Sequence, residues 1–326
     1  MRASISATTF RRLTVAVALS LAAIVITGAA VRLTSSGLGC PTWPRCTDTS
    51  LVAPASYHAL VEFTNRIVTT LVGVLVFGVA FGALLRAPRR RDLTRLSWSL
   101  VGGFMGQAVI GGLSVLYHLA PPWVMAHFLL SMALLWVALV LVQHADPAWE
   151  SRQPDVQREL VLLARLLVGV AAIVLFLGTF TTGTGPHAGS GQHIKRLHVL
   201  PLERITQLHA DSALLLTGLV IATLFAVRLT PTTALIRRRA SILAGLVLLQ
   251  VAIGYTQYFL NLPPSVVELH VAGATALWCG TIWLQLSFTA PVVEPAAETV
   301  TQGETAAANA RRTDSLRLPQ TTPSGT

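Results

Sequence analysis

Three histidines stand inside apolar stretches long enough to cross a bilayer: His127, His209 and His270. A polar group at membrane depth is costly, and imidazole is a strong nitrogen ligand for metals, so histidines in such places are usually functional. His209 and His270 fall early in two stretches that run in the same direction. Their rings therefore reach one depth, one to two helical turns below the surface. No cysteine or carboxylate stands beside them, which makes a poor tetrahedral zinc set but suits the two axial positions of a flat iron porphyrin. Taken singly, each imidazole could instead hydrogen-bond a neighbour or reach back to the interface.

A second group is Glu62-Phe63-Thr64-Asn65-Arg66. Glu62 and Asn65 share a helix face, and Glu62 with Arg66 has the spacing of an ordinary i,i+4 ion pair. Asn65 precedes His127 much as His209 precedes His270, so Asn65 occupies the counterpart of His209. Thr206 then stands where Glu62 does. One half thus carries a carboxylate and a single histidine, expected to face whatever His127 holds. The other carries two histidines and no carboxylate. This asymmetry points to a reactive first half and a cofactor-storing second half. Cys40 and Cys46 fall in one loop and could close a small ring, as a structural staple or as a redox-active pair. Cys279 is expected to pack as a small apolar residue. His58, His118, His144, His187, His193 and His198 lie in or near loops and are expected to be solvated.

The elements that must position these groups follow from composition. Of 326 residues, 53% are hydrophobic and 12% charged, with mean hydropathy +0.63. A soluble domain carries about a quarter charged residues, so the bilayer must be part of the solvent. The net charge of +10 comes almost entirely from arginine, Lys195 being the one lysine. These arginines cluster between apolar runs as a topology signal, which argues against nucleic acid. Spans are predicted at 13–33, 60–85, 96–117, 123–143, 160–182, 204–228, 240–260 and 264–288. Arg11-Arg12 before the first run resembles a signal peptide, but the run is long enough to be a retained helix. With eight crossings every arginine-rich segment falls on one side, the cytoplasmic one.

The chain is thus expected to be an all-α polytopic membrane protein whose eight transmembrane helices form two pseudo-symmetric four-helix bundles. The expected organisation is a cytoplasmic N-terminus (1–12), a first half (13–143), a cytoplasmic linker (144–159), a second half (160–288) and a disordered cytoplasmic tail (289–326). The duplication is visible in Gln107-Ala-Val-Ile-Gly111 against Gln250-Val-Ala-Ile-Gly254. A Pro-Pro pair follows each (121–122, 263–264), then His127 or His270. Thr27-Gly28 is matched to Thr182-Gly183. Gln107 and Gln250 are expected to hydrogen-bond between helices.

Together these motifs resemble the heme A synthase family. The carriers are Thr27-Gly28-Ala29-Ala30-Val31-Arg32, the Cys40-Pro41-x-Trp43-Pro44-x-Cys46 loop, Glu62-x-x-Asn65-Arg66, and His127, His209 and His270, over about residues 15–285. The resemblance implies heme b held by His209 and His270. It implies a substrate-heme site at His127, Asn65 and Arg66 with Glu62 as the catalytic carboxylate, and a disulfide between Cys40 and Cys46. The implied reaction oxidises one methyl group of heme O to the formyl group of heme A for terminal oxidases. Implied partners are heme O, the heme O-making farnesyltransferase and cytochrome oxidase assembly factors in the cell membrane, and a homo-oligomer is compatible. The family motif has histidine where this chain has Asn65. Substrate iron would then rest on His127 alone or with water.

Two other classes are weighed. A bis-histidine electron-transfer cytochrome accounts for His209 and His270 but not for a carboxylate confined to the first half. A transporter suits duplicated halves but predicts more charge deep in the bundle.

Overall fold

Apolar runs flanked by arginine fold into eight helices in the computed structural model, which describes residues 4–147, 156–188 and 196–288. They are α1 (Ala7–Leu33), α2 (Tyr57–Leu85), α3 (Arg91–Leu116), α4 (Pro121–His144), α5 (Arg158–Thr184), α6 (Leu202–Leu229), α7 (Ala234–Phe259) and α8 (Pro264–Ser287). Each is long and apolar enough to cross a membrane, because at about 1.5 Å per residue even the shortest exceeds the ~30 Å hydrocarbon core. The chain is a multi-pass membrane protein. The expected tail, half of the linker (148–155), His193 and Lys195 lie outside the described residues.

Several helices start earlier than their apolar runs. α1 begins at Ala7 rather than 13, α3 at Arg91 rather than 96 and α7 at Ala234 rather than 240. The added turns carry Arg11, Arg12, Arg91, Arg95 and Arg237 to Arg239. Arginine favours helix and lets its charged head reach water while the stem stays in the interface. Ser6 and Thr233 cap two of these starts, accepting hydrogen bonds from the Thr9 and Ile236 amides at 3.1 and 3.3 Å.

Each half is a ring of four helices. α1–α2–α3–α4 closes by contact of α1 with α4, and α5–α6–α7–α8 by contact of α5 with α8. The halves meet through α1 with α8, α4 with α5, and α4 with α8. Exchanging the halves maps the first two contacts onto each other and the third onto itself, as a pseudo-two-fold axis requires. At the seam Trp278 Nε1 donates to the Met132 carbonyl at 2.9 Å and meets Trp136 edge-on. Leu19, Ile173, Phe225 and Leu248 stay exposed on the flanks, where lipid is their solvent.

The duplication extends to the backbone. His118 and Leu119 after α3, and Asn261 and Leu262 after α7, all have φ of 55–60°. Left-handed geometry costs an L-residue roughly 1–2 kcal/mol. Both turns offset that cost with the same hydrogen bonds: Leu119 N donates to Ser114 O at 2.7 Å, and Leu262 N to Gln257 O at 2.8 Å. Pro121 and Pro264 then begin α4 and α8. The structural register therefore pairs Pro121 with Pro264, one residue away from matching the two Pro-Pro pairs.

Candidate functional site

The four even-numbered helices start at the end of the bundle that carries the Cys40–Cys46 loop. Asn65, His127, His209 and His270 lie eight, six, seven and six residues past those starts. They share a level about 10 Å in from the helix ends.

In the second half His209 and His270 face each other, with ring centroids 6.3 Å apart and planes at 74°. An iron porphyrin needs this spacing. Two metal–nitrogen bonds of about 2 Å each, plus the two ring radii, separate the centroids by about 6 Å. The rings are set from behind. His209 Nδ1 bonds the Val174 carbonyl at 3.1 Å, which leaves Nε2 for a ligand. The Gln250 amide lies 3.1 Å from His270 Nδ1 and donates to the His270 carbonyl at 2.9 Å. Among the described residues no cluster of three or more His, Cys, Asp or Glu could hold a bare metal ion. The donor set fits a porphyrin, whose own nitrogens supply the equatorial ligands.

Small residues make room for the imidazoles. A Cβ on Gly178 would lie 3.0 Å from His209 Cε1, and one on Gly254 3.4 Å from His270 Cε1. Gly111 stands in the same relation to His127, at 3.0 Å. Gly183 packs instead against Leu197 and Pro121. Asn65, the counterpart of His209, is met by Thr27 of α1, as His209 is met by Gly178 of α5. Thr27 and Gly178 each stand six residues before their helix ends, whereas Gly183 lies one residue before the end of α5 and accepts the Leu197 amide.

The first half departs from this plan. Gln107 donates to the His127 carbonyl at 2.9 Å, as Gln250 does to His270, but its amide then reaches Ser131 Oγ at 2.6 Å. The counterpart of Ser131 is Ala274, which offers no such acceptor. His127 Nδ1 is consequently buried without a hydrogen bond. Between α1 and α2, Thr27 Oγ1 donates to Asn65 Oδ1 at 2.9 Å.

Glu62 is 5% exposed and spends both oxygens on the loop side. Oε2 accepts the Cys40 amide at 2.8 Å, and Oε1 accepts Arg66 Nη2 at 2.6 Å and Nε at 3.1 Å. Arg66 also donates to the carbonyls of Cys40, Thr42 and Arg45. The ordinary i,i+4 pair is therefore present, and it fastens the loop. Both Glu62 oxygens are thus engaged with the loop amide of Cys40 and with Arg66. Cys40 and Cys46 form a disulfide. Trp43 of the same loop packs on Gly112, next to the glycine behind His127.

Other histidines expected to be solvated have partners. His58 Nδ1 bonds Ser36 Oγ, His187 Nε2 the Leu262 carbonyl and His144 Nδ1 the Asp92 carboxylate, at 3.0, 2.9 and 3.1 Å. Cys279 is free and half-buried among apolar side chains. The sequence also hid Glu268, two residues before His270. Its carboxylate oxygens are buried without a hydrogen bond, and its charge interacts with Arg32 of α1 across the seam.

Fold and site together define a duplicated eight-helix membrane protein with a porphyrin-sized gap between two imidazoles. Residues 11–282 match the model of the cytochrome oxidase assembly protein family. The chain belongs to that family. Similar proteins carry the name heme A synthase. One from Exiguobacterium sibiricum is 25% identical over 167 residues, covering 50% of this chain and 55% of the relative. One from Alkalihalophilus pseudofirmus is 26% identical over 160 residues, covering 48% and 54%. One from Staphylococcus epidermidis is 25% identical over 179 residues, covering 52% and 58%. The chain spans about half the length of the curated relatives it matches.

Proposed function

We propose that this protein oxidises a methyl group of heme O to the formyl group of heme A, a reading supported by the name heme A synthase that its relatives carry. The observation that carries the proposal is the pair His209 and His270 at porphyrin spacing in one half, beside an asymmetric first half. In this reading His209 and His270 hold heme b, which supplies electron relay when bound. His127 binds the iron of the substrate heme, and its unpartnered ring marks it as a ligand awaiting a partner. Asn65 and Arg66 complete that site. Glu62 is the carboxylate on which activity depends. Both its oxygens accept charge-assisted or main-chain hydrogen bonds, so it acts by fixing negative charge and the loop beside the site, more than as a free base. Methyl to formyl is a four-electron oxidation through two hydroxylations with loss of water. The protein therefore needs an electron acceptor and an oxygen source. The setting proposed is the cell membrane with both termini cytoplasmic. The proposed partners are the farnesyltransferase that makes heme O and cytochrome oxidase assembly factors.

The purified protein should contain heme b together with heme O or heme A, and should convert one to the other in a host that makes heme O. Heme b alone, with no conversion, would favour a bis-histidine electron-transfer cytochrome. Absence of any heme would end both proposals.

A further inference from the structure

At the end of the bundle away from the disulfide loop both halves carry arginine, but only the first half answers it with acid. Arg90 meets the Asp92 carboxylate at 2.5 Å, His144 meets it at 3.1 Å, and Arg11 meets Asp146 at 3.3 Å. Asp92 lies fifteen residues before Gln107, and the residue fifteen before Gln250 is Leu235. His144 lies seventeen residues after His127, and seventeen after His270 stands Ser287. The Ser287 hydroxyl donates within its own helix, to the Leu284 carbonyl. The acid and the histidine of the first half are thus replaced in the second by an exposed leucine and a buried serine.

Four arginines gather at this place: Arg228 in the last turn of α6, and Arg237, Arg238 and Arg239 in the first two turns of α7. The first three are exposed. The partners they have are neutral. Arg228 donates to Ser241 Oγ at 3.5 Å and Arg237 to the Thr232 carbonyl. Arg239 donates to the Trp283 carbonyl at 2.8 Å, and its guanidinium lies 4.3 Å over the Trp283 ring. Among the described residues none of the four forms an ion pair. A guanidinium has five N–H donors, so most of theirs are open. Beside them the surface is apolar: Leu229 and Leu235 are exposed, and Phe225 is exposed one turn deeper along α6.

Uncompensated cations at a membrane surface, with lipid-facing side chains beneath them, match the chemistry of an anionic lipid. A nucleic acid or an acidic peptide would gain nothing from Phe225 and Leu229. A zwitterionic headgroup would bring its ammonium into a cluster of like charge. We propose that Arg228, Arg237 and Arg238 bind the headgroup phosphate of an anionic diacyl phospholipid, in the leaflet away from the disulfide loop, with its acyl chains along Phe225 and Leu229. Arg239, stacked on Trp283, forms the inner wall of the site. The first half has no such site, because Asp92 stands in the place of Leu235. The inference needs only the membrane fold and stands apart from the proposed heme chemistry.

Phosphatidylglycerol is the probe, and phosphatidylcholine with the same acyl chains is the reference. Purified full-length protein in detergent is titrated with each, and bound lipid is counted by native mass spectrometry. Phosphatidylglycerol should bind at least ten-fold more tightly. Replacing Arg237 and Arg238 together by glutamine should weaken it roughly thirty-fold, about five-fold for each arginine. Arg228→Gln, on the other helix, should weaken it about five-fold and keeps the test open should the double variant not fold. Arg95→Gln should change binding less than about two-fold, since Arg95 is the first-half counterpart of Arg238, twelve residues before the paired glutamine. Glycerol phosphate should compete poorly, because it lacks acyl chains. Equal binding of the two lipids overturns the site. So does an equal loss on Arg95→Gln and Arg228→Gln, which would mean diffuse attraction to the whole basic surface. Full competition by glycerol phosphate would make the ligand a soluble anion and overturn the lipid assignment.

Discussion

The two halves share a backbone down to their strained turns, yet they treat equivalent positions differently. In the second half both rings have a partner behind them and room beside them. His209 is held by Val174, His270 by Gln250, and Gly178 and Gly254 give both rings room. In the first half Ser131 draws Gln107 away from His127, asparagine replaces the second ring, and a carboxylate–arginine pair ties α2 to a disulfide loop. A site whose two rings are both held suits a resident group that must stay. A site with an unpartnered ligand suits a molecule that must enter, react and leave. Duplication supplies the frame, and a few substitutions divide the labour.

The sharpest break of the comparison is loss of a second-half ligand. His270→Ala should remove the heme b signal entirely in a pyridine hemochrome assay while leaving heme O bound through His127; an unchanged spectrum would refute the pair. Next in size is Glu62→Ala. Removing the carboxylate leaves the Cys40 amide without its acceptor and Arg66 without its counter-charge, and conversion of heme O should fall by about 10²-fold or more, the scale seen when preorganised charge is lost from a site. Heme b should be unaffected, and retained conversion would take Glu62 out of the mechanism.

A smaller effect separates the glycines. Gly178→Ala should weaken heme b retention roughly ten-fold through an overpacking cost of about 1–3 kcal/mol, whereas Gly28→Ala should be near neutral for it. Heme titration of the stripped protein measures both, and equal effects would mean that room behind the His209 ring does not matter. The smallest change expected is Ser131→Ala. It should free the Gln107 amide to reach His127 Nδ1, as Gln250 reaches His270, and alter substrate-heme affinity by a few-fold, about 1 kcal/mol. No change in titration would mean that Ser131 does not set the His127 ring.

Much of this was legible in the residues. Hydropathy and arginine placement gave eight spans, because bilayer thickness sets helix length and charge is excluded from the core. Internal repetition gave the equivalence of Asn65 with His209 and of His127 with His270, since spacing along a helix converts directly to depth. The Thr27-Gly28 and Thr182-Gly183 match did not show that Thr27 meets Asn65 where Gly178 meets His209. Only packing shows which residue backs a ring. The loop bonds of Glu62 were hidden for a similar reason: a helix face can be read from spacing, but a loop folding over that face cannot.

The sequence by itself therefore determined the number of helices, their length, their pairing into halves and the depth of every candidate ligand. These are one-dimensional quantities, governed by apolar run length and a fixed rise per residue. Tertiary structure alone decided that the two rings meet 6.3 Å apart, that Glu62 bonds the disulfide loop and that Thr27 meets Asn65. Those outcomes depend on how helices rotate against one another and on which donors compete for each acceptor, and both are settled by contacts between residues far apart in the chain.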